Sequence, residues 1–193
     1  MDSRLTNRVE VSVGGAPESL CEEALRGAFE EICKRVPLWT SPVELTVPEE
    51  HVQKAGATLD GPDRPAGTGL LAMRNVRVNG LHGRGVHGSV LDGKLHDLFG
   101  VLQAGDKVEW EEVYAPVTHD AIIPERLSSM AGTAAACLAC AELLAMPHKR
   151  WSDPNAAAEK RREYLGHLTT LIRMGLTPGG GEIAMIPEEY ADE

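Results

Sequence analysis

Between positions 123 and 155 the chain reads IPERLSSMAGTAAACLACAELLAMPHKRWSDPN, and no other segment restricts the fold as strongly. Ala, Gly, Ser and Cys fill its first two thirds, so the spacing predicts a helix with little bulk on any face. Such a helix lets neighbours pack closely on several sides at once. Pro147 stops it, because proline can neither donate a backbone hydrogen bond nor fit inside a helical turn. The basic-aromatic connector His148-Lys149-Arg150-Trp151 follows. Ser152-Asp153-Pro154 then offers a polar cap with proline in the first turn of a second helix. Two helices joined by so short a connector lie side by side and antiparallel.

A packing logic of this kind needs little aromatic bulk, and the 193 residues contain only two Phe, three Tyr and three Trp. The core is therefore expected to be aliphatic and alanine-rich. The formal charge of −10 disfavours wrapping nucleic acid, which requires surface Lys and Arg to neutralise phosphates. The same charge suits a wall past which nucleic acid slides without sticking. Cys21, Cys33, Cys137 and Cys140 all fall on predicted helices, so a disulfide framework is not expected. No basic-then-apolar leader stands out and no apolar run approaches a membrane span, which points to a soluble protein made and assembled inside a cell.

Residues 1–18 alternate weakly (Val9, Val11, Val13) before Gly14-Gly15 and Pro17, and read as an arm or a short strand. Ser19 begins a predicted helix over 19–36. Glu22 completes a capping box with it, and Leu25, Ala28, Phe29, Ile32 and Val36 form one apolar stripe. Pro37 ends the stripe. From 39 to 118 the period changes to two: Val43 to Val47, Leu70 to Val78 and Lys107 to Val117 read as strands. Asn79-Gly80 marks a two-residue hairpin turn, and the Gly/Pro/Asp-rich stretch 56–67 reads as a loop. Further helices are expected over 124–146 and 153–175, the latter turning Tyr164, Leu165, Leu168, Leu171 and Ile172 inward. The triple glycine at 179–181 reads as a hinge into a tail, 177–193, in which Ile183, Met185 and Ile186 sit among carboxylates. The fold class is α+β: an antiparallel bundle of three main helices, an inserted small glycine-rich antiparallel β region (39–118) and an extended C-terminal tail.

Cys137-Leu-Ala-Cys140 has the CxxC spacing of redox motifs, but it lies in mid-helix rather than at a helix N-terminus, where thiols are activated. Buried packing is the reading we prefer. His82, His87, His96 and Asp97 are the densest set of potential ligands, and three imidazoles with a carboxylate suit a divalent ion in principle. Their spacing matches no familiar ligand motif, and no metal or other cofactor is assigned. Gly83-Arg84-Gly85 and the triple glycine lack the P-loop context. Ser128-Ser129 lack a nucleophile elbow, and Glu111-Glu112, adjacent on a strand, point to opposite faces. No catalytic constellation emerges. The connector bases suit the C-terminal dipole of the preceding helix, with Trp151 plugging the turn. Alternatively Lys149, Arg150 and Trp151 contact an acidic neighbour, such as the tail of another copy.

Two stretches resemble the head-to-tail adaptor (connector) proteins of tailed bacteriophages. One is EEALRGAFEEICKR at 22–35 followed by Leu38-Trp39; the other is LLAMPHKRWSDP at 143–154. In the second, His148 stands where the family usually has Gly and Arg150 where it usually has Pro. Asn75 to Gly80 also fits the family's strand-turn, and the likeness spans roughly 19–47, 70–80 and 120–172. The resemblance implies a structural, non-enzymatic virion protein over 19–176, which forms a ring, usually dodecameric, below the portal. The ring extends the DNA channel without binding DNA specifically and provides a platform for tail or nozzle proteins. It implies a place in the virion neck, after assembly in the host cytoplasm, with no membrane partner. The tail would dock on the portal protein through Ile183, Met185, Ile186 and Tyr190. Against this stand two alternatives: a metal-binding enzyme or sensor built on His82, His87, His96 and Asp97, and a generic oligomeric binding module.

Overall fold

The computed structural model describes residues 3–83, 85–118 and 121–175. Among them are four helices: α1 (Ser3–Val13), α2 (Glu18–Arg35), α3 (Glu125–Ala145) and α4 (Pro154–Gly175). Seven strands lie between α2 and α3: β1 (Thr40–Thr46), β2 (Ala57–Asp60), β3 (Thr68–Val78), β4 (Leu81–His82), β5 (Val86–Gly88), β6 (Lys94–Asp97) and β7 (Lys107–Pro116). They form two antiparallel sheets, one ordered β1-β7-β3-β4 and the other β2-β6-β5. The expected three-helix bundle with a minor β region is thus corrected to four helices and two sheets.

The fourth helix is α1, where an arm or strand was expected. Val9 and Val13 are buried one helical turn apart, while Val11 between them is 83% exposed, so the true period is 3.6 and not 2. α1 owes its place to α3. The two helices pack closely there: a Cβ on Gly132 would lie 3.1 Å from both methyls of Leu5, which would have to shift by a few tenths of an ångström. Arg8 donates to the Thr133 hydroxyl at 3.4 Å across the same contact.

α3 is the hub. From Ala131 to Leu144 nearly every side chain is buried, Thr133 and Glu142 excepted, because α1, α2 and α4 cover it on separate sides. Contrary to expectation, α3 does have the length and apolarity of a membrane-crossing helix, but most of it is buried inside the helical core. α2 supplies Leu25, Phe29 and Ile32 to that core, all fully buried, and α4 supplies Tyr164, Leu168 and Leu171. Leu165, expected inward, is 46% exposed. The expected capping box is not formed. α2 starts at Glu18, its N-cap is the extended Pro17 without a side-chain cap bond, and Ser19 lies within the first turn.

β7 joins the two halves of the molecule. Its burial alternates from Lys107 to Glu111 and is then continuous from Glu112 to Pro116, where the strand runs under α2. Tyr114 and Ala115 belong to the helical core, with Trp39 packed edge-on to Tyr114 at 6.2 Å between ring centres. Trp110 and Val108 belong to a second core, closed by Val43, Val47, Leu59, Val86, Leu95 and Leu102 between the sheets. Asn79-Gly80 makes the expected hairpin turn, both residues in the left-handed region (φ 50° and 78°). The stretch expected as plain loop, 56–67, carries β2 instead, and the second sheet assembles from strands of only three or four residues. Pairing with neighbours fixes such short strands, so their own sequence shows little period.

Candidate functional site

The connector between α3 and α4 is built almost as the sequence implies. α3 ends at Ala145, and the Asp153 amide returns to donate to the Leu144 carbonyl at 2.9 Å. Asp153 Oδ1 accepts from the amides of Asn155 and Ala156, both at 3.0 Å, which caps α4 with Pro154 as its first residue. His148 has φ 61°, the left-handed conformation that glycine adopts without strain. It and Lys149 stand beyond the last turn of α3, which holds no basic residue, so the expected dipole complementation by these two is corrected. His148, Lys149 and Arg150 are exposed, whereas Trp151 is half-buried against the helical core. Ile183, Met185, Ile186 and Tyr190 lie outside the described residues.

The histidine set does not converge. His87 and His96 are cross-strand partners, so their side chains share one face of the small sheet. Asp97, the next residue on β6, faces the other way, is buried, and accepts the amides of Val101 and Leu102 at 2.9 and 2.8 Å. His82 lies on β4 in the other sheet, opposite Arg77. His96 Nε2 pairs with Asp92 at 2.9 Å. Hydrogen bonds from Ser89, the Lys94 amide and His96 hold the Asp92 carboxyl below its usual range. Among the described residues no three His, Cys, Asp or Glu side chains are grouped to hold a metal ion.

All four cysteines are buried and unpaired. Burial pushes Cys33 up to about 12 and, with the Glu163 carboxylate as a second cause, Cys137 up to about 11. Thiols so protonated are poor nucleophiles, and Cys137 donates to Glu163 at 3.4 Å.

One polar cluster escaped the sequence reading. Glu112 is fully buried at the junction of the two cores. It accepts from the Tyr114 hydroxyl at 2.6 Å, the Trp110 indole at 3.2 Å and Arg64 Nε at 3.4 Å. Arg64 also donates to the Gly93 carbonyl at 2.8 Å, which ties the four-stranded sheet to the turn of the β5–β6 hairpin. Burial, then the adjacent Glu112, raises the Tyr114 phenol well above its ordinary value. Trp110, Glu112 and Tyr114 stand at period two on β7, and a carboxylate flanked by two aromatic donors is the signal that could have revealed them. With its oxygens committed to three donors, Glu112 acts as a clamp between elements.

A groove of about 500 Å³ runs between the β1 end and β2, walled by Leu45, Pro48, His51, Val52, Ala57 and Leu59 among others. No known family model matches the chain, and no curated protein matches its sequence.

Proposed function

We propose that this chain is a head-to-tail adaptor of a tailed bacteriophage. Copies of it form a ring under the portal, extend the DNA channel and present a platform to a tail or nozzle protein. The observation that carries the reading is the backbone of the connector. The family resemblance has glycine where this chain has His148, and position 148 takes the left-handed conformation that favours glycine. The rest of the motif also has a physical task in place: Pro147 follows the end of α3, Trp151 packs on the core, and Asp153-Pro154 starts α4. The residue departs from the glycine of the resemblance, while the backbone at 148 takes a conformation that glycine adopts without strain.

The small-residue hub supports the same reading, since α3 spends its surface on neighbours of its own chain and leaves α4's outer face and the sheets for partners. The acidic balance fits a channel wall that DNA crosses without specific contacts. The tail residues Ile183, Met185, Ile186 and Tyr190 are assigned to portal docking, and Lys149, Arg150 and Trp151 to a subunit or partner contact. The test is native mass spectrometry of the chain alone and mixed with a candidate portal ring. A defined multi-copy ring on the portal is the expected result; a chain whose mass is indifferent to portal overturns the proposal.

A further inference from the structure

We infer that the cleft over α3, between α1 and α4, is the docking site of this chain's own C-terminal segment. In the free subunit residues 182–193 fold back into it and set Ile183 and Ile186 against its apolar floor. The inference goes beyond the adaptor reading, which gives the segment a partner only in the assembly.

Two helix faces form the cleft. Arg126, Met130, Thr133 and Cys137 stand at successive turns of α3, and Glu163, His167, Thr170 and Met174 do the same on α4. The Cys137 thiol meets Glu163 at 3.4 Å, and toward the other end the two faces enclose a hollow of about 70 Å³. Met130, Thr133, His167, Thr170 and Met174 are among its walls. α1 forms the third side, where Arg8 reaches the Thr133 hydroxyl. α3 hides most of its surface under neighbours, yet here Thr133 is exposed and Met130 is 37% exposed. Met174, on the α4 side, is 56% exposed. Methionines at a surface make an apolar floor that adapts to what it meets.

Charge names the occupant. On a chain of net charge −10, the rim of this cleft carries arginines without acids to match them. Arg8 bonds a neutral hydroxyl and, like Arg126, pairs with no carboxylate among the described residues. Glu163, at the far end, is already answered by Lys160 at 2.8 Å. Residues 182–193 carry five carboxylates, no Lys or Arg, and the apolar set Ile183, Met185 and Ile186. A basic rim over a methionine floor complements such a segment, whereas DNA phosphates would leave the floor unfilled.

Reach favours the chain's own segment over a neighbour's. Gly175 ends α4 one residue beyond Met174, at the mouth of the hollow. From Gly175 to Ile183 the chain can span about 26 Å, ample for a reversal. The glycines at 179–181 accept the backbone angles that a reversal needs. The α4 side of the cleft, from Met174 back to Glu163, is about 17 Å long, within the span of residues 183–193. A tether this short holds the segment at a roughly millimolar effective concentration, so a contact too weak to join two chains still forms within one.

The test uses the full chain without portal, so its failure leaves the adaptor reading standing. Diamide oxidation of Thr133→Cys combined with Ile186→Cys should close a disulfide within one chain, the four natural thiols being buried. Leu165→Cys combined with Ile186→Cys puts the thiol on the opposite side of α4 and should close at least about fivefold more slowly. Arg126→Glu places an acid in the first turn of α3, where the helix dipole favours it, and should slow the first closure by about two- to fivefold. If a cysteine pair lowers the melting temperature, methionine methyl NMR spectra of the natural chain and of Ile183→Asp replace it. Met130 and Met174 should then move between the two, while Met73, packed on the second core, should not. Equal closure at Thr133 and Leu165, a disulfide formed only between two chains, or unmoved Met130 and Met174 overturns the inference.

Discussion

Glu112 shows how one side chain sets the relation of two cores. A buried carboxylate costs several kcal/mol to desolvate unless its partners repay it, and here an indole, a phenol and a guanidinium do so. Glu112→Gln keeps the shape but turns an amide NH₂ toward donors, and should destabilise by about 2 kcal/mol in urea unfolding. An unchanged midpoint would show that the clamp is not stabilising. The thiols make a second prediction. Burial holds Cys33 near about 12 and Cys137 near about 11 against an ordinary 9.0, so above pH 9 the unfolded chain loses thiol protons that the folded chain keeps. Unfolding then releases protons, so the stability present below pH 9 declines as pH climbs toward 11 and beyond. Urea midpoints measured between pH 8 and 11 check the sign, and a flat profile contradicts the burial. At this scale the sequence was partly legible. Mid-helix placement of Cys137 and Cys140 already pointed to packing. The tie from Arg64 to Glu112 was not legible, because 48 residues and a second sheet separate them.

Elements were legible where local chemistry agrees with tertiary packing. The α3–α4 connector carried a stop, a cap and a proline start within eight residues, and all three act where they stand. His148 is the exception inside it. A non-glycine residue at φ 61° carries about 1 kcal/mol of strain, so His148→Gly should raise the unfolding free energy by about that amount, and His148→Val should lower it. Equal melting temperatures for the three would remove the connector backbone as support for the adaptor reading. α1 was misread because three valines at spacing two carry strand propensity, whereas the contact of Leu5 with Gly132 decides the outcome from 127 residues away. Gly132→Ala sets its Cβ against the mobile end of Leu5, 3.1 Å away, and gains helix propensity, so it should stay within about 1 kcal/mol of the parent. Gly132→Leu should lift α1 from α3, seen as faster proteolysis of the first 17 residues; equal protection would refute the close approach. β2, β5 and β6 were missed since strands of three or four residues in glycine-rich sequence are defined by their partners.

At the scale of the molecule, the two cores divide the labour. The helical core closes among α1 to α4, with Leu171 and Ile172 its last members among the described residues. The second core closes between the sheets and carries the exposed hairpin turn and the groove. Assigning portal docking to the last residues separates docking from stability. On that assignment, deleting 182–193 should leave the melting temperature within about 2 °C of the full chain, a shift of at most about 1 kcal/mol. The same deletion removes Ile183, Met185, Ile186 and Tyr190 together with Glu188, Glu189, Asp192 and Glu193, so the truncated chain should no longer join a portal ring. Native mass spectra of both chains with portal decide the matter. A truncated chain that melts as the parent and still joins would reassign portal docking to the exposed surfaces of the folded subunit, with Lys149 and Arg150 the next residues to reverse in charge.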